Sequence, residues 1–364
     1  GAGRHGAEAE QIPRSEAHGP LRPAGPGRQL AHRRHALLEV DPAAPKAGEA
    51  WISAEKQVLR IAVPVQKVTP NALLGLAEAE RIKGFDLAQA PLLRLNMVCT
   101  GDNRHQLIYT SHHILMDGWS NSQMMGEVMQ RYHGQRVSAS GGRYSDYIAW
   151  LQRQDAQLSQ DFWSGQLAAL QEPTRLARAA TGGERDSGHG DHYLTLDVPR
   201  TQALEAFARQ QKVTVNTLVQ AAWLLLLQRY TGHEAVAFGA TVAGRPADLP
   251  GIEQQVGLFI NTLPVIATPR PDQSVAAWLQ AVQAQNLSLR EFEHTPLADV
   301  QRWAGQSGEA LFDNILVFEN YPIAQALQQG AEQGVVFGAV ANLEQTHYPL
   351  SIAVTLGQAL ALHL

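Results

Sequence analysis

Residues 106–113, QLIYTSHH, alternate with a period of two and are followed four positions later by an Asp-Gly pair. That pattern predicts a strand with Leu107, Tyr109, Ser111 and His113 on one face and Ile108, Thr110 and His112 on the other. The two histidines therefore cannot share one task. If one ring faces a cleft, its neighbour packs or hydrogen-bonds behind it. Asp117-Gly118 turns the chain. Beyond it Met124, Met125, Val128, Met129 and Tyr132 recur at helical spacing, with Gly134 where such a helix would stop. A strand end, a loop and a helix start form a rigid frame on which chemistry is commonly carried.

An imidazole with an unperturbed pKa of about 6.5 can take and return a proton near neutrality. Attack of an amine or alcohol on an acyl group needs that capacity. Asp117 would hold a ring or an arginine in place, and Gly118 lets a substrate chain pass close to the backbone. A lone histidine in an apolar strand is most often a packed one. Two in succession at fixed spacing from Asp117-Gly118-Trp119-Ser120 are less easily assigned to packing. The methionines after the turn need only a core-filling explanation.

Other chemistries find little support. The 364 residues carry a net charge of -5, so no basic field for nucleic acid exists. The longest apolar run, residues 221–227, is far short of a membrane span. Cys99 is the only cysteine, which excludes an internal disulfide and a zinc cluster and suits a reducing cytoplasm. Gly244 and Gly251 lack the lysine and spacing of a phosphate loop, and no serine sits in a nucleophile elbow. Adjacent histidines point apart, and no HExxH helix is present, so no metal is expected.

Three further segments follow the histidine motif in order: Tyr144-Ser145-Asp146-Tyr147-Ile148-Ala149-Trp150, Val256-Gly257-Leu258-Phe259-Ile260-Asn261-Thr262, and residues 311–322, LFDNILVFENYP. Together with His112-His113-x-x-x-Asp117-Gly118-Trp119-Ser120 they resemble the condensation domains of nonribosomal peptide synthetases, in the chloramphenicol acetyltransferase-like superfamily. The resemblance extends from about Trp51 to Leu364. It implies an α/β (α+β) fold of two lobes arranged as a V, with a tunnel between them. Donor and acceptor would each enter as a thioester on the phosphopantetheine arm of an upstream or downstream peptidyl carrier domain, beside an adjoining adenylation domain. No cofactor would be bound by the domain itself. His113 would act as general base or positioning group, His112 and Asp117 as mainly structural members of the site. Gly118, Trp119, Ser120, Asn261 and Thr262 would line the substrate path. A buried Asn261 that merely holds a strand crossover is an equally open reading. His294 and His347 are expected to cap or to lie on the surface.

Two rival functions remain. A free-standing acyltransferase using coenzyme A would need clustered Lys and Arg near the motif, and none is seen. A non-catalytic carrier-protein docking domain would not need the intact His113. Gly118-Trp119-Ser120 after the aspartate favours condensation over the related epimerisation domains.

The expected organisation is an atypical segment at 1–50, a first lobe at 51–175, a linker at 176–191 rich in Gly, Arg and Ala, and a second lobe at 192–364. Residues 1–50 lack apolar periodicity, so disorder, a misread frame or a foreign segment is expected there. The resemblance places an arginine that pairs with Asp117 on an early strand, and no match to it is found. Both ends are accordingly expected to fall short of a whole domain. The pattern at 144–170 predicts one long helix, and 256–267 one strand.

Overall fold

The structure is a computed structural model. It describes residues 33–40, 49–54, 57–62, 65–67, 70–101, 104–132, 134–137, 142–179, 190–305, 309–319 and 337–364. In order, the elements begin β1 (Arg33–Val40), β2 (Glu49–Ala54), β3 (Gln57–Ala62), β4 (Val65–Lys67), α1 (Pro70–Ile82), β5 (Leu93–Gly101), β6 (Arg104–His112), a single 3-10 turn (His113–Leu115) and α2 (Gly118–Tyr132). Next come α3 (Tyr144–Leu151), α4 (Ala156–Leu167), α5 (Leu176–Ala179), β7 (Tyr193–Thr195), α6 (Val198–Gln211), α7 (Val215–Thr231) and β8 (Val236–Val242). The chain closes with β9 (Asn261–Ala267), α8 (Val275–Arg290), α9 (Leu297–Trp303), β10 (Asn314–Glu319), β11 (Phe337–Gln345), β12 (Leu350–Leu356) and β13 (Leu360–His363).

Two sheets carry the mixed α/β fold. One has the order β11-β1-β6-β5-β4, the other β7-β13-β12-β10-β8-β9, and β2-β3 form a separate hairpin. β5 and β6 pair antiparallel with Leu95 opposite Tyr109. The alternation of β6 is expressed on both faces. Tyr109 packs with Leu93, Met116 and Met125, while Ile108 packs with Val98 and with Leu73 and Ala77 of α1. Fully burying one such side chain is worth about 1.5–3 kcal/mol, so the strand is held in one register by apolar contacts on each side. Met125 is buried and Met124 packs against the same cluster, as core filling requires.

The second sheet supports the larger core. Ala221, Leu224 and Leu227 of α7 lie against Val236, Ala237 and Phe238 of β8 and against Trp278, Leu279 and Val282 of α8. Local signals set the helix ends. Thr214 Oγ1 accepts from Thr217 N–H at the start of α7, which stops at Gly232 with φ 74°, and Ser274 caps α8 in the same manner.

Several expectations change. The single helix over 144–170 is broken: Asp155 accepts hydrogen bonds from Gln157 N and Leu158 N, starting a new helix. Trp163, Leu167 and Leu170 then pack in the second-sheet core, so the lobe boundary at 176–191 does not divide the packing. α5 within that supposed linker is tied down, because both Asp313 oxygens accept from its first N–H groups, Leu176 N and Ala177 N, at 3.0 and 2.9 Å. β11, assigned from sequence to the second lobe, pairs instead with β1 in the first sheet. Nor are residues 33–40 unpatterned chain: they form a strand between β6 and β11. Its order comes from two long-range ladders that no local period announces. The rest of that segment, 1–32 and 41–48, lies outside the described residues.

Candidate active site

Strand β6 ends at His112 and the chain turns at once into the 3-10 turn, so His113 stands just past the strand rather than within it. Both rings are buried, each 6% exposed. His112 donates its backbone N–H to Leu92 O at 2.9 Å, and its Nδ1 accepts Ile114 N–H at 3.2 Å. An accepting Nδ1 places the hydrogen of a neutral ring on Nε2. The ring also meets Phe85 edge-on at 6.2 Å. His112 thus braces the turn that sets the direction of His113.

Asp117 is completely buried and caps α2, its Oδ1 accepting Ser120 N–H at 2.8 Å. Its other oxygen accepts Phe259 N–H at 3.1 Å, and its own N–H donates to Gly257 O at 3.1 Å. Ser120, also fully buried, donates Oγ–H to Gly257 O at 2.9 Å and accepts Gly257 N–H at 3.1 Å. Trp119 Nε1–H donates to Glu253 O at 3.0 Å. Gly118 lies buried in the first turn of α2, with its carbonyl accepting Ser122 Oγ–H at 2.9 Å. The histidine loop is therefore clamped to residues 253–259. After a second 3-10 turn (Ile252–Gln254), residues 255–260 run as irregular chain before β9. The backbone groups of Gly257 and Phe259 are spent on Asp117 and Ser120, and those of Gln255 and Leu258 include bonds to Arg245 and Tyr144, instead of a ladder.

The cation for Asp117 comes from the second half. Arg245 Nη2 lies 3.4 Å from Asp117 Oδ1 and donates to Ser120 Oγ at 2.9 Å, while Nη1 reaches Ile252 O and, at 3.1 Å, Gln255 O. Its side chain is 4% exposed and its guanidinium lies 4.1 Å over the Phe259 ring. Burial pushes the Arg245 pKa down, opposed by the Asp117 charge. Among the described residues, the arginine that pairs with Asp117 is Arg245, which follows β8. Gly244 before it has φ 60°, and a Cβ there would stand 1.8 Å from Phe259 O, so only glycine lets the two chains approach.

Aromatic rings back the clamp. Tyr144 OH donates to Leu258 O at 2.8 Å, and the Tyr144 and Tyr147 rings meet Phe259 at 5.3 and 4.9 Å. Burial, and then the Asp117 charge, raise the Tyr144 phenol, and burial raises Tyr147 to about 12, so both remain neutral donors near pH 7. Asn261 is turned away from the motif. Its Nδ2 donates to Glu293 O at 2.9 Å and Thr295 O at 2.6 Å, and its Oδ1 accepts Thr262 N–H at 2.9 Å. All of that amide's groups are used to hold the crossover, while Thr262 pairs with Thr241 in the ladder. His294 is half-buried, with Nε2 3.2 Å from Ser159 Oγ, and burial lowers its pKa. His347, exposed on the surface as expected, stacks tilted on Tyr348 at 4.3 Å. Asn314 Oδ1 accepts Trp223 Nε1–H at 2.9 Å, which gives the 311–322 segment a structural task; 320–322 lie outside the described residues. Arg245 is the residue that the sequence reading missed, although a glycine-arginine pair at a strand end was visible there.

The described residues contain no cluster of three or more His, Cys, Asp or Glu able to hold a metal, and no helix long and apolar enough to cross a membrane. In fold, the chain is similar to the first condensation domain of the calcium-dependent antibiotic synthetase in complex with a substrate analogue: TM-score 0.68 at 19% identity, over 91% of this chain and 84% of that one. It is likewise similar to a holo four-domain nonribosomal peptide synthetase bound to AMP and glycine, with TM-score 0.69 and 17% identity over 90% of this chain and 29% of that one. Residues 54–364 match the family described as Condensation domain. The chain is 39% identical over 316 residues to a linear gramicidin synthase of Brevibacillus parabrevis and 42% identical over 291 residues to chondramide synthase of Chondromyces crocatus. Those matches take in 82% and 78% of the chain but only 6% and 7% of the relatives' own lengths. The chain belongs to the condensation domain family of nonribosomal peptide synthetases, acyltransferases that form amide bonds.

Proposed function

We propose that this domain joins a donor acyl or peptidyl thioester to the α-amine of an acceptor aminoacyl thioester, each carried on the phosphopantetheine of a partner carrier domain. The amine nitrogen attacks the thioester carbonyl, the C–N bond forms as the C–S bond breaks, and the proton lost from nitrogen balances the one gained by the departing thiolate. His113 serves as the base for that proton or as the group that orients the amine. His112 and Asp117 hold His113 and its loop. Gly118, Trp119, Ser120 and Thr262 belong to the walls of the substrate path, with Asn261 behind them at the crossover. The two sheets correspond to the two lobes of a V, and an adenylation domain adjoins. Cys99 as a free thiol suits work in a reducing cytoplasm.

The observation that carries this reading is the clamp itself: a buried histidine pair on a loop that Asp117 and Ser120 tie to Arg245, Gly257 and Phe259 of the other half of the chain. Such fixed placement suits a reaction in which two tethered reactants gain about 7–11 kcal/mol from alignment. The test is to load two carrier proteins with defined thioesters and follow acyl movement by intact-protein mass spectrometry. Transfer to the acceptor carrier in the presence of the domain is expected. Only hydrolysis, or no movement, would overturn the proposal.

A further inference from the structure

Arg245 also lines a cavity of about 460 Å³ bounded by the start of α7, the end of β8 with its following loop, and the last turns of α8. That volume lies well above the about 150 Å³ left by truncating one large core side chain, and within the about 300–1,000 Å³ of small-molecule pockets. Its lining is not matched polar group to polar group. Gln220 is 4% exposed, its Nε2 donates to Asn216 Oδ1 at 3.2 Å, and its Oε1 has no partner among the described residues. Glu293 takes Gly244 N–H on Oε2 at 3.2 Å, while its Oε1 takes no hydrogen bond among the described residues. A buried acceptor without a donor is destabilising, and a ligand N–H would satisfy it.

The buried Gln220 Oε1 calls for an N–H donor, and the partly buried Glu293 carboxylate beside it offers a second acceptor. Arg290 and Arg245 stand on the same lining, so a neutral amide fits better than an ammonium group. Burial also raises the Glu293 carboxyl pKa, against the Gly244 N–H and the Arg290 charge.

We infer that this cavity is a specificity pocket for the amide-bearing part of an acyl group delivered to the site, with Gln220 and Glu293 as its recognition groups. The inference rests on the condensation reading. The amide has two possible sources, the peptide bond of a peptidyl donor or a carboxamide side chain on the acceptor.

The experiment uses the full chain and N-acetylcysteamine thioesters in two arms. In the donor arm, N-acetylalanyl and 4-methylpentanoyl thioesters compete for a glycyl acceptor. In the acceptor arm, glutaminyl and leucyl thioesters compete for an acetyl donor. The expected result is a preference of about tenfold or more in kcat/KM for the amide-bearing member of one arm, since a site built for an N–H rejects an analogue lacking it. Gln220→Leu should bring that ratio close to one, through KM. Glu293→Gln, which keeps an acceptor for Gly244, serves as the second variant should Gln220→Leu fail to give a native melt. No preference in either arm, or a preference untouched by both variants, overturns the inference while leaving the condensation reading standing. If no thioester pair yields amide, the condensation reading fails instead. The pocket is then judged by saturation-transfer NMR with N-acetylglutaminamide: binding lost in Gln220→Leu supports it, and equal or absent binding refutes it.

Discussion

Neutralising Asp117 measures what the buried pair contributes to the loop that carries the histidines. Asp117→Asn keeps an oxygen for one backbone donor but removes the charge 3.4 Å from a guanidinium that is itself 4% exposed. Removing one partner of a buried pair costs about 3–5 kcal/mol, because the other charge remains desolvated. Here Arg245 keeps Ser120 Oγ, two carbonyls and the Phe259 ring, so the loss belongs at the lower end, about 3 kcal/mol. Arg245→Met removes the cation and keeps the stem. It leaves Asp117 with the Ser120 and Phe259 N–H groups, and a similar loss follows. With both charges gone no buried charge is left unpaired, so the double variant should be more stable than the two single losses summed, by about 1.5–3 kcal/mol. Urea unfolding of wild type, both singles and the double, followed by circular dichroism and tryptophan fluorescence, gives the cycle. Losses that add within about 0.5 kcal/mol would show the two charges to be independent. The clamp would then rest on its neutral hydrogen bonds, those of Ser120, Trp119 and Tyr144 among them. A well-folded but inactive Asp117→Asn protein would move the aspartate from a holding role into the chemistry.

The remaining predictions are more direct. His113→Ala should reduce carrier-to-carrier transfer by about 10²–10⁴-fold with little change in melting temperature; near-normal transfer would leave tethering alone to explain the rate. Gly244→Ala should destabilise strongly and lower transfer, since its Cβ would meet Phe259 O at 1.8 Å, whereas a native melt would mean that the strand-end loop relaxes freely. Asn261→Ala should cost stability by leaving Glu293 O and Thr295 O without their donor, and should alter transfer only in proportion to the folded fraction. Burial lowers the His294 pKa from its ordinary 6.5, so below pH 6.5 the unfolded chain binds a proton that the folded chain does not. Its contribution is whole above that pH and is lost as pH falls toward the folded value. His294→Gln should flatten this limb of a urea-midpoint profile, and an unchanged limb would exclude His294 as its source.

What could be read from sequence was what local period and capping dictate. The β6 alternation and the helix after Asp117 with its stop at Gly134 depend on residues within a few positions of one another. What could not be read depends on partners far away. β1 becomes a strand because it bonds β6 on one edge and β11 on the other, with Arg33 opposite both His112 and Gln345. Arg245 lies 128 residues from Asp117, too far for any local pattern to announce the pair. Asp117 itself explains why distance matters here. A carboxylate is the side chain that can cap α2, accept a second N–H from Phe259 and face a guanidinium at once. The first of these tasks is local and visible in the Asp-Gly turn. The other two fix how residues 253–259 sit against the histidine loop, so the placement of His113 is as much a property of the second half of the chain as of the strand that ends at His112.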